Sequence, residues 1–210
     1  MRLFADRAEA GRQLAEALAE YAGNASAIVL ALPRGGVPIG YEIARRLGVP
    51  LDVYVVRKLG VPGHEELAMG ALAGDGTCVL DEELIHGLGI DAAALDAVIH
   101  REVGELRRRE SAYRDARPDP ELAGRLVILV DDGLATGATM RAAATAIRAR
   151  RPGSIVVGVP VAAARTCAGL RSIVDRVVCL ATPEPFHAVG LYYENFEQIG
   201  DDEVRRLVAA

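Results

Sequence analysis

Two neighbouring carboxylates followed by a turn of small residues form the part of this sequence best suited to chemistry. Asp131 and Asp132 come directly after residues 127–130, an apolar and mostly β-branched run that predicts a buried strand of a parallel sheet. Residues 133–139 are Gly, Leu, Ala and Thr, and an Ala-rich helix is predicted over 141–150. Open α/β sheets bind ligands at the carboxyl ends of their strands, where this turn and the two acids should lie.

The turn has the features of a site for a sugar phosphate. Gly, Ala and Thr leave backbone N–H groups uncovered, and the positive end of the following helix points the same way, so an anion is favoured. Two carboxylates suit vicinal hydroxyls, a divalent cation or both. An ordinary strand-to-helix turn with a solvated Asp pair is the alternative.

A second strand-to-helix turn carries an arginine and two glycines. Residues 27–32 predict another buried strand, and Pro33, Arg34, Gly35 and Gly36 follow it. Two glycines let a ligand approach the backbone closely, and an arginine at a strand end can point into the ligand crevice. The alternative is a simple turn with a surface arginine.

A basic pair follows a third predicted strand. Arg57 and Lys58 come at the end of residues 51–56, and the Gly- and Pro-containing stretch 59–66 is interpreted as a mobile loop. A hairpin is predicted over 68–81. Two cations before such a loop fit an active-site lid, whereas a solvated basic turn is favoured when the segment is taken alone.

The remaining chain supplies helices and strands that position these groups. Asp6 and Asp91 are the predicted N-caps of helices over 6–21 and 91–116. In the second helix, the three arginines 107–109 are interpreted as a solvated face paired with glutamates, and a phosphate or partner patch is the alternative. Further elements are strands over 154–161 and 177–180 and helices over 165–174 and 201–207.

Length and composition bound the class of protein. With 210 residues, 51% apolar and 25% charged, the chain suits one α/β domain with a sizeable core. The formal net charge of −5 argues against general nucleic-acid binding.

The cysteines and the apolar runs bear on where the protein works. Cys78, Cys167 and Cys179 lack metal-ligand spacing, which indicates reduced thiols in a cytoplasmic protein. No signal peptide is recognised and no apolar run reaches the ~18 residues typical of a membrane span, so no membrane partner is expected.

Three of these motifs resemble those of one known family. Residues 127–140, VILVDDGLATGATM, resemble the signature with which type I phosphoribosyltransferases bind phosphoribosyl pyrophosphate (PRPP), and the adenine-specific branch is closest locally. The stretch LPRGGVPIGYEIARRLGV resembles the family's pyrophosphate loop and is most like that of the xanthine–guanine branch. The family often holds a non-proline cis peptide in this loop. Arg57 and Lys58, with Pro62-Gly63, resemble the flexible catalytic loop. The motifs occur in the family's order, and the resemblance covers most of the chain.

The resemblance implies a fold and a division of the chain. The implied fold is a doubly wound α/β domain with a mainly parallel five-stranded sheet, a flexible loop and hairpin, and a small C-terminal hood. We expect the core over residues 1–181, including the loop and hairpin at 57–81, and the hood over 182–210 within the same domain. Homodimerisation is common in the family and is possible here.

The resemblance also implies roles for individual residues. Asp131 and Asp132 would face the ribose hydroxyls, and the 5′-phosphate would lie on Ala135, Thr136, Gly137, Ala138 and Thr139. The pyrophosphate would be gripped by Arg34, Gly35 and Gly36. The catalytic set would be Arg34, Arg57, Lys58, Asp131 and Asp132, with Mg²⁺ bound through PRPP and water rather than by direct protein ligands. His64 is a candidate loop residue.

The acceptor is less defined than the PRPP site. Residues 182–196 gather aromatic side chains in a chain that is only 4% aromatic, and Phe186 is the candidate for stacking on a base. A flap that packs on the core is an equal alternative. Several purine-using branches carry Asp at the position of Ala135, and the 6-oxopurine branches carry a Lys that residues 159–164 lack. These departures argue against hypoxanthine or guanine.

Two functions remain from the sequence. The first is an Mg²⁺-dependent phosphoribosyltransferase that displaces pyrophosphate from PRPP with a nitrogenous base of unknown identity. The second is a non-catalytic PRPP- or nucleotide-binding regulatory protein on the same scaffold. A phosphatase with paired Asp residues is a weak third hypothesis, because such enzymes usually space the two acids as Asp-x-Asp.

Overall fold

Five parallel strands form the main sheet of the protein in the computed structural model, which describes residues 2–113 and 119–210 apart from the side chain of Glu66. The described residues form eight strands, in chain order: β1 (Ala27–Ala31), β2 (Leu51–Val53), β3 (Val56–Val61), β4 (His64–Ala73), β5 (Cys78–Leu80), β6 (Leu126–Val130), β7 (Ser154–Val161) and β8 (Arg176–Ala181). The main sheet has the order β2-β1-β6-β7-β8, and all its strand pairs are parallel.

Helices cover both faces of this sheet. They are α1 (Arg7–Ala17), α2 (Gly36–Leu47), α3 (Glu82–Gly87), α4 (Ala92–Tyr113), α5 (Ala138–Ala149), α6 (Ala164–Leu170) and α7 (Asp201–Ala209). Leu14 of α1 and Ile39 of α2 pack against Val29 of β1, whereas Met140 of α5 packs with Ile28 on the opposite face. Because successive strand residues face opposite sides, the fully apolar strands β1 and β6 need cover on both sides. The predicted doubly wound α/β fold is therefore confirmed.

A second sheet, antiparallel and three-stranded, stands beside the main one in the order β3-β4-β5. Its apolar side packs against α4 and α7 through residues such as Leu59, Met69, Leu106 and Val204. Burying such side chains contributes about 1.5–3 kcal/mol each. This packing fixes the basic pair of β3 against the main body of the protein.

Two sequence predictions in this region were wrong. Residues 51–56 do not form one strand, because the chain leaves the main sheet after Val53 and enters the second sheet at Val56. Residues 59–66 are not an irregular loop but parts of β3 and β4, joined by a turn in which Gly63 has φ +77°. Gly60 is needed inside the strand, because a Cβ there would lie 2.7 Å from the carbonyl oxygen of Glu65. The hairpin predicted over 68–81 is confirmed by β4 and β5.

The predicted helix starts are confirmed at two caps. Asp6 accepts a hydrogen bond from the N–H of Glu9 at 2.8 Å, and Asp91 accepts one from Ala94 at 2.7 Å. The predicted end of the long helix at residue 116 lies outside the described residues. Several boundaries differ from the prediction: α1 ends at Ala17 instead of residue 21, α5 begins at Ala138, α6 ends at Leu170 and α7 ends at Ala209. None of the helices in the described ranges is long and apolar enough to cross a membrane.

Candidate active site

A polar cavity of about 330 Å³ opens at the carboxyl ends of β1 and β6. We call it the central cavity. Four of the site residues predicted from the sequence line it: Arg57, Lys58, Asp131 and Thr139. The wall also includes Pro33, Tyr54 and three apolar residues, together with Arg109 of α4, which was not predicted for the site. The cavity thus joins an acid, two adjacent cations and the end of the small-residue turn.

A larger cavity of about 920 Å³ lies between α5 and the strands β4 and β5. Its lining is mainly apolar, and Thr136 and Ala138 connect it to the small-residue turn. The central cavity is smaller, but it holds the charged groups that phosphate and ribose chemistry needs. We therefore place the candidate active site in the central cavity.

Asp131 is the acid that faces the central cavity. Its Oδ1 accepts a hydrogen bond from the backbone N–H of Asp132 at 2.8 Å. Burial raises the pKa of Asp131 well above its usual value, and the neighbouring charge of Asp132 raises it further. A ligand that brings positive charge or hydroxyl donors to this carboxylate would offset that cost.

Asp132 is held in a different way, because it forms an ion pair with Arg7 of α1. Both Nε and Nη2 of Arg7 reach Oδ2 of Asp132, at 3.0 and 2.9 Å. Burial raises the pKa of Asp132, whereas the charge of Arg7 and its hydrogen bonds act in the opposite direction. Arg7 was not predicted from the sequence, since it lies 125 positions from Asp132 and no motif spacing connects the two.

Arg7 and Asp132 are also tied to the C-terminal segment. Arg7 donates from Nη1 to the carbonyl oxygen of Glu197 at 2.9 Å, and its guanidinium carbon lies 3.8 Å from the centre of the Phe196 ring. Tyr193 donates its hydroxyl to the carbonyl oxygen of Asp132 at 2.7 Å. Both ends of the chain therefore converge on the second acid.

The two loop glycines sit against the end of β6. A Cβ on Gly35 would collide with Oδ2 of Asp132, and one on Gly36 would lie 2.7 Å from the carbonyl oxygen of Val130. Glycine is therefore needed at both positions because the residues around the acid pair pack directly against this loop. The Pro33–Arg34 peptide bond is cis.

Arg34 points into an adjoining polar cavity of about 320 Å³, which shares Pro33 and Arg109 with the central cavity. Its Nη1 lies 3.5 Å from Oδ1 of Asp201 on α7, and the same oxygen accepts a hydrogen bond from the hydroxyl of Tyr113 at 3.0 Å. The predicted pyrophosphate arginine is thus at the edge of the central cavity, engaged by an internal carboxylate.

The basic pair lies within β3, and its arginine is anchored. Arg57 donates from Nε to Oε2 of Glu102 at 2.7 Å, and Glu102 is buried on α4. The predicted pairing of the arginine run with glutamates is confirmed for Arg108 and Arg109, since both donate hydrogen bonds to Glu105. The hydrogen bonds from Arg108 and Arg109 lower the pKa of Glu105 to about 2.

Gly137 in a left-handed conformation shapes the small-residue turn, and a hydrogen bond from Thr166 supports it. Gly137 has φ +72° and precedes α5, whose first N–H groups have no partners within the helix. Thr166 of α6 donates its hydroxyl to the carbonyl oxygen of Ala135 at 2.7 Å. Thr136 and Thr139 are exposed, so the turn is open to a ligand. Thr166 was not found from the sequence.

The aromatic C-terminal segment packs on the core. Phe186 lies 5.4 Å from Tyr192 between ring centres, and the cluster continues through Tyr193 and Phe196 to Phe4. This is the arrangement that the flap alternative expects, and the base-stacking role of Phe186 stays a prediction. His64 is exposed at the start of β4, away from the central cavity, and its role stays a prediction too.

Val189 and Gly133 meet next to the acid pair. A Cβ on Gly133 would lie 2.6 Å from Cγ1 of Val189, so the C-terminal segment covers the first residue of the turn. The next residue, Leu134, donates its N–H to the carbonyl oxygen of Val161 at 2.9 Å. An acceptor molecule that approaches this side of the site would meet Val189.

Among the described residues, no group of three or more His, Cys, Asp and Glu side chains is placed to hold a metal ion. Asp131 offers one carboxylate to the central cavity. This donor set fits a magnesium ion that reaches the site on a phosphorylated substrate and keeps several waters.

Comparison with known proteins identifies the family of the chain. The phosphoribosyl transferase domain model matches residues 4–194. Two proteins from Mycobacterium tuberculosis, of strains CDC 1551 and H37Rv, provisionally named phosphoribosyl transferases, are each 50% identical to this chain over 204 residues. The match covers 97% of this chain and 46% of each relative, so the chain spans about half the length of the curated relatives it matches.

Solved structures give the same result for the fold. The crystal structure of TT1426 from Thermus thermophilus aligns with a TM-score of 0.91 and 43% identity, covering 99% of this chain and 98% of that one. A Neisseria gonorrhoeae protein solved with bound ppGpp aligns with a TM-score of 0.52 and 14% identity, covering 100% and 96%, and shares the fold alone. The chain therefore belongs to the phosphoribosyl transferase domain family.

Proposed function

We propose that this protein transfers the phosphoribosyl group of PRPP to a nitrogenous base and releases pyrophosphate. One observation carries the proposal: Asp131, Thr139, Arg57 and Lys58 line a single cavity at the carboxyl end of the main sheet. The cavity combines a hydroxyl acceptor, a phosphate turn and a cation pair, which are the three groups that PRPP requires. Membership in the family supports the same conclusion.

The binding roles follow from the chemistry of each group. The 5′-phosphate would lie on residues 135–139, where the turn and the start of α5 supply N–H groups and two threonine hydroxyls. Asp131 would accept hydrogen bonds from ribose hydroxyls. The pyrophosphate would be bound by Arg57, Lys58 and Arg34, whose fixed positive charges match its negative charge.

In the proposed reaction, the bond between ribose C1 and the pyrophosphate oxygen breaks, and a bond from C1 to the acceptor nitrogen forms. The proton of that nitrogen is lost to water or to the released pyrophosphate. Positive charge develops on the ribose ring while negative charge grows on the leaving pyrophosphate. Arg57 and Lys58 stabilise that growing charge, and Glu102 keeps Arg57 in place beforehand. Removing one preorganised group of this kind typically costs on the order of 3 kcal/mol in the barrier, or ~100-fold in rate.

Mg²⁺ fits this site as a partner of PRPP. Asp131 is the carboxylate that would face the ion through water, and the ligands of the ion would be substrate oxygens and waters. When bound, the ion would neutralise part of the pyrophosphate charge.

The second candidate is a PRPP- or nucleotide-binding regulatory protein. Two observations favour it. Ala135 offers no carboxylate that could take a proton from an acceptor base, and Val189 covers Gly133 beside the acid pair. Both observations concern the acceptor side, whereas the charged groups on the PRPP side are complete.

Pyrophosphate release separates the two candidates. The purified protein is incubated with PRPP, Mg²⁺ and a panel of purine and pyrimidine bases, and release is compared with the rate without any base. Release above that background with at least one base supports the transferase, and Asp131→Asn should abolish it. Asp96→Asn, an exposed acid on α4, is the matched control and should keep the activity. PRPP binding without base-dependent release across the panel would support the regulatory protein instead.

A further inference from the structure

The ion pair between Arg7 and Asp132 occupies one of the two carboxylate oxygens of Asp132. Both donors of Arg7 reach Oδ2, and the side chains are only 10% and 16% exposed. Gly35 lies against the same oxygen, so a third group has no room there. Among the described residues, Oδ1 is left as the oxygen of Asp132 that a ligand can use.

Arg7 is itself fixed from three directions. It is the first residue of α1, directly after the cap formed by Asp6, and this sets its backbone. Its Nη1 donates to the carbonyl oxygen of Glu197, and the Phe196 ring lies 3.8 Å from its guanidinium carbon. A planar guanidinium held on an aromatic face and by three hydrogen bonds has little freedom to rotate. The fixed guanidinium therefore also fixes the orientation of the Asp132 carboxylate.

A ribose-binding acid benefits from such a constraint. Ribose hydroxyls donate hydrogen bonds, so they need a carboxylate oxygen held in one position as the acceptor. Two donors of Arg7 hold Oδ2 of Asp132 and prevent the carboxylate from rotating freely. The arginine that binds one oxygen of Asp132 thereby aims its second oxygen.

We propose that Arg7 is a positioning residue for PRPP binding: it fixes Asp132 so that Oδ1 is presented to the ribose. This inference rests on the proposed function, because it assumes that PRPP is the ligand. It makes α1 and the C-terminal segment 193–197 parts of the PRPP site, although neither carries a residue of the sequence motifs.

The competing view is that the ion pair only joins the two ends of the chain. Such a tie would affect the free energy of unfolding, but it would not make the effect of Arg7 on PRPP affinity depend on the carboxylate of Asp132. A double-mutant cycle read out by PRPP affinity separates these views.

The experiment measures the PRPP dissociation constant by calorimetry, with thermal unfolding recorded for every variant. The variants are Arg7→Gln, Arg7→Lys, Asp132→Asn, the Arg7→Gln/Asp132→Asn double variant, and the control Arg12→Gln. Arg12 is on the same helix and is 54% exposed, and it pairs with Glu42 instead of the acid motif.

For a positioning residue, Arg7→Gln weakens PRPP binding by roughly tenfold, the loss typical of a charged hydrogen bond. Arg7→Lys retains the charge with fewer donors, so it should recover part of that loss. Asp132→Asn should remove the effect of Arg7→Gln, with less than about a twofold further change in the double variant. Arg12→Gln should match the wild type.

Three results would overturn the inference. The first is wild-type PRPP affinity in folded Arg7→Gln, or in Arg7→Lys if Arg7→Gln does not fold. The second is a full additional loss from Arg7→Gln in the Asp132→Asn background. The third is absence of PRPP binding by both the wild type and Arg12→Gln, which rejects the proposed function and this inference with it. In the first two cases PRPP still binds the wild type, so only the role of Arg7 is rejected.

Discussion

Arg34 Nη1 and Asp201 Oδ1 are 3.5 Å apart, which places a carboxylate of the C-terminal helix on the arginine proposed to bind pyrophosphate. The two side chains are 36% and 40% exposed, so the pair is well solvated and weak. Asp201 thus engages Arg34 in this structure, and PRPP must compete with it for the guanidinium.

Asp201→Asn should therefore strengthen PRPP binding. Exposed ion pairs contribute about 1 kcal/mol or less, which limits the gain to about fivefold. The asparagine oxygen can still accept the hydrogen bond from Tyr113, so little change in stability is expected. Calorimetric titration tests this, with Asp202→Asn as the control, because Asp202 pairs with Arg205 instead. Weaker PRPP binding in Asp201→Asn would contradict the competition.

Lys58→Met should lower kcat/KM for pyrophosphate release by roughly 100-fold, since it removes one fixed cation from the leaving group. Methionine retains much of the length of the side chain, so the cavity wall should survive. Arg46→Met, on the exposed side of α2, is the control and should leave turnover unchanged. Equal rates in the two variants would exclude Lys58 from the transition state.

Lys58 also offers a direct probe, because it is the only lysine in the sequence. Reductive methylation with ¹³C-formaldehyde keeps the charge and labels this side chain and the N-terminal amine. On addition of PRPP, the Lys58 methyl resonance should shift while the N-terminal resonance stays. A Lys58 resonance that does not respond at saturating PRPP would mean that the ligand binds elsewhere.

Asp131→Asn should stabilise the protein while it abolishes turnover. A carboxyl whose pKa is raised by folding is costly to ionise in the native state, and that cost is full above the raised pKa and disappears as the pH falls towards ~4. The gain should thus be largest at neutral and alkaline pH. A gain of 1 kcal/mol would appear as a rise in Tm of about 2–4 °C for a chain of this size.

Thermal unfolding of wild type and Asp131→Asn between pH 5 and pH 8 tests this sign. The difference in Tm should grow with pH. Asp132→Asn should instead lower Tm, because Arg7 would lose its charged partner in a buried site. A Tm of Asp131→Asn below that of the wild type at pH 8 would show that the carboxylate is not costly in the fold.

Thr166→Val should weaken PRPP binding with the shape of the turn nearly preserved. The change removes the hydroxyl that donates to Ala135, a loss of about 1 kcal/mol or roughly fivefold in affinity. Ser172→Ala is the control, because Ser172 bonds to Gly169 away from the turn. Equal PRPP affinity in the two variants would mean that α6 does not set the geometry of the phosphate turn.

Structural features that depend on contiguous residues could be predicted from the sequence. The apolar run before Asp131 and the Thr-Gly turn after it are local patterns, and strand ends in a parallel sheet bring such turns to one edge. The caps at Asp6 and Asp91 were predictable for the same reason, since each capping carboxylate and the N–H group that donates to it lie three residues apart.

The contacts that complete the site were beyond the sequence because they join distant residues. Arg7 is an ordinary first-turn residue of an amphipathic helix, and only folding brings it to Asp132. Thr166 and Val189 likewise meet the turn through α6 and the C-terminal segment. In β3 and β4, the Gly and Pro residues that indicated a loop instead form a bulge and a tight turn within a hairpin.

Titration calorimetry with PRPP, in the presence and absence of Mg²⁺, tests the central claim most directly. We expect binding in the micromolar range that strengthens with Mg²⁺ and is lost in Asp131→Asn but kept in Asp96→Asn. A folded wild-type protein that takes up no PRPP under either condition would contradict the account, and the phosphate turn would then have to serve a different ligand.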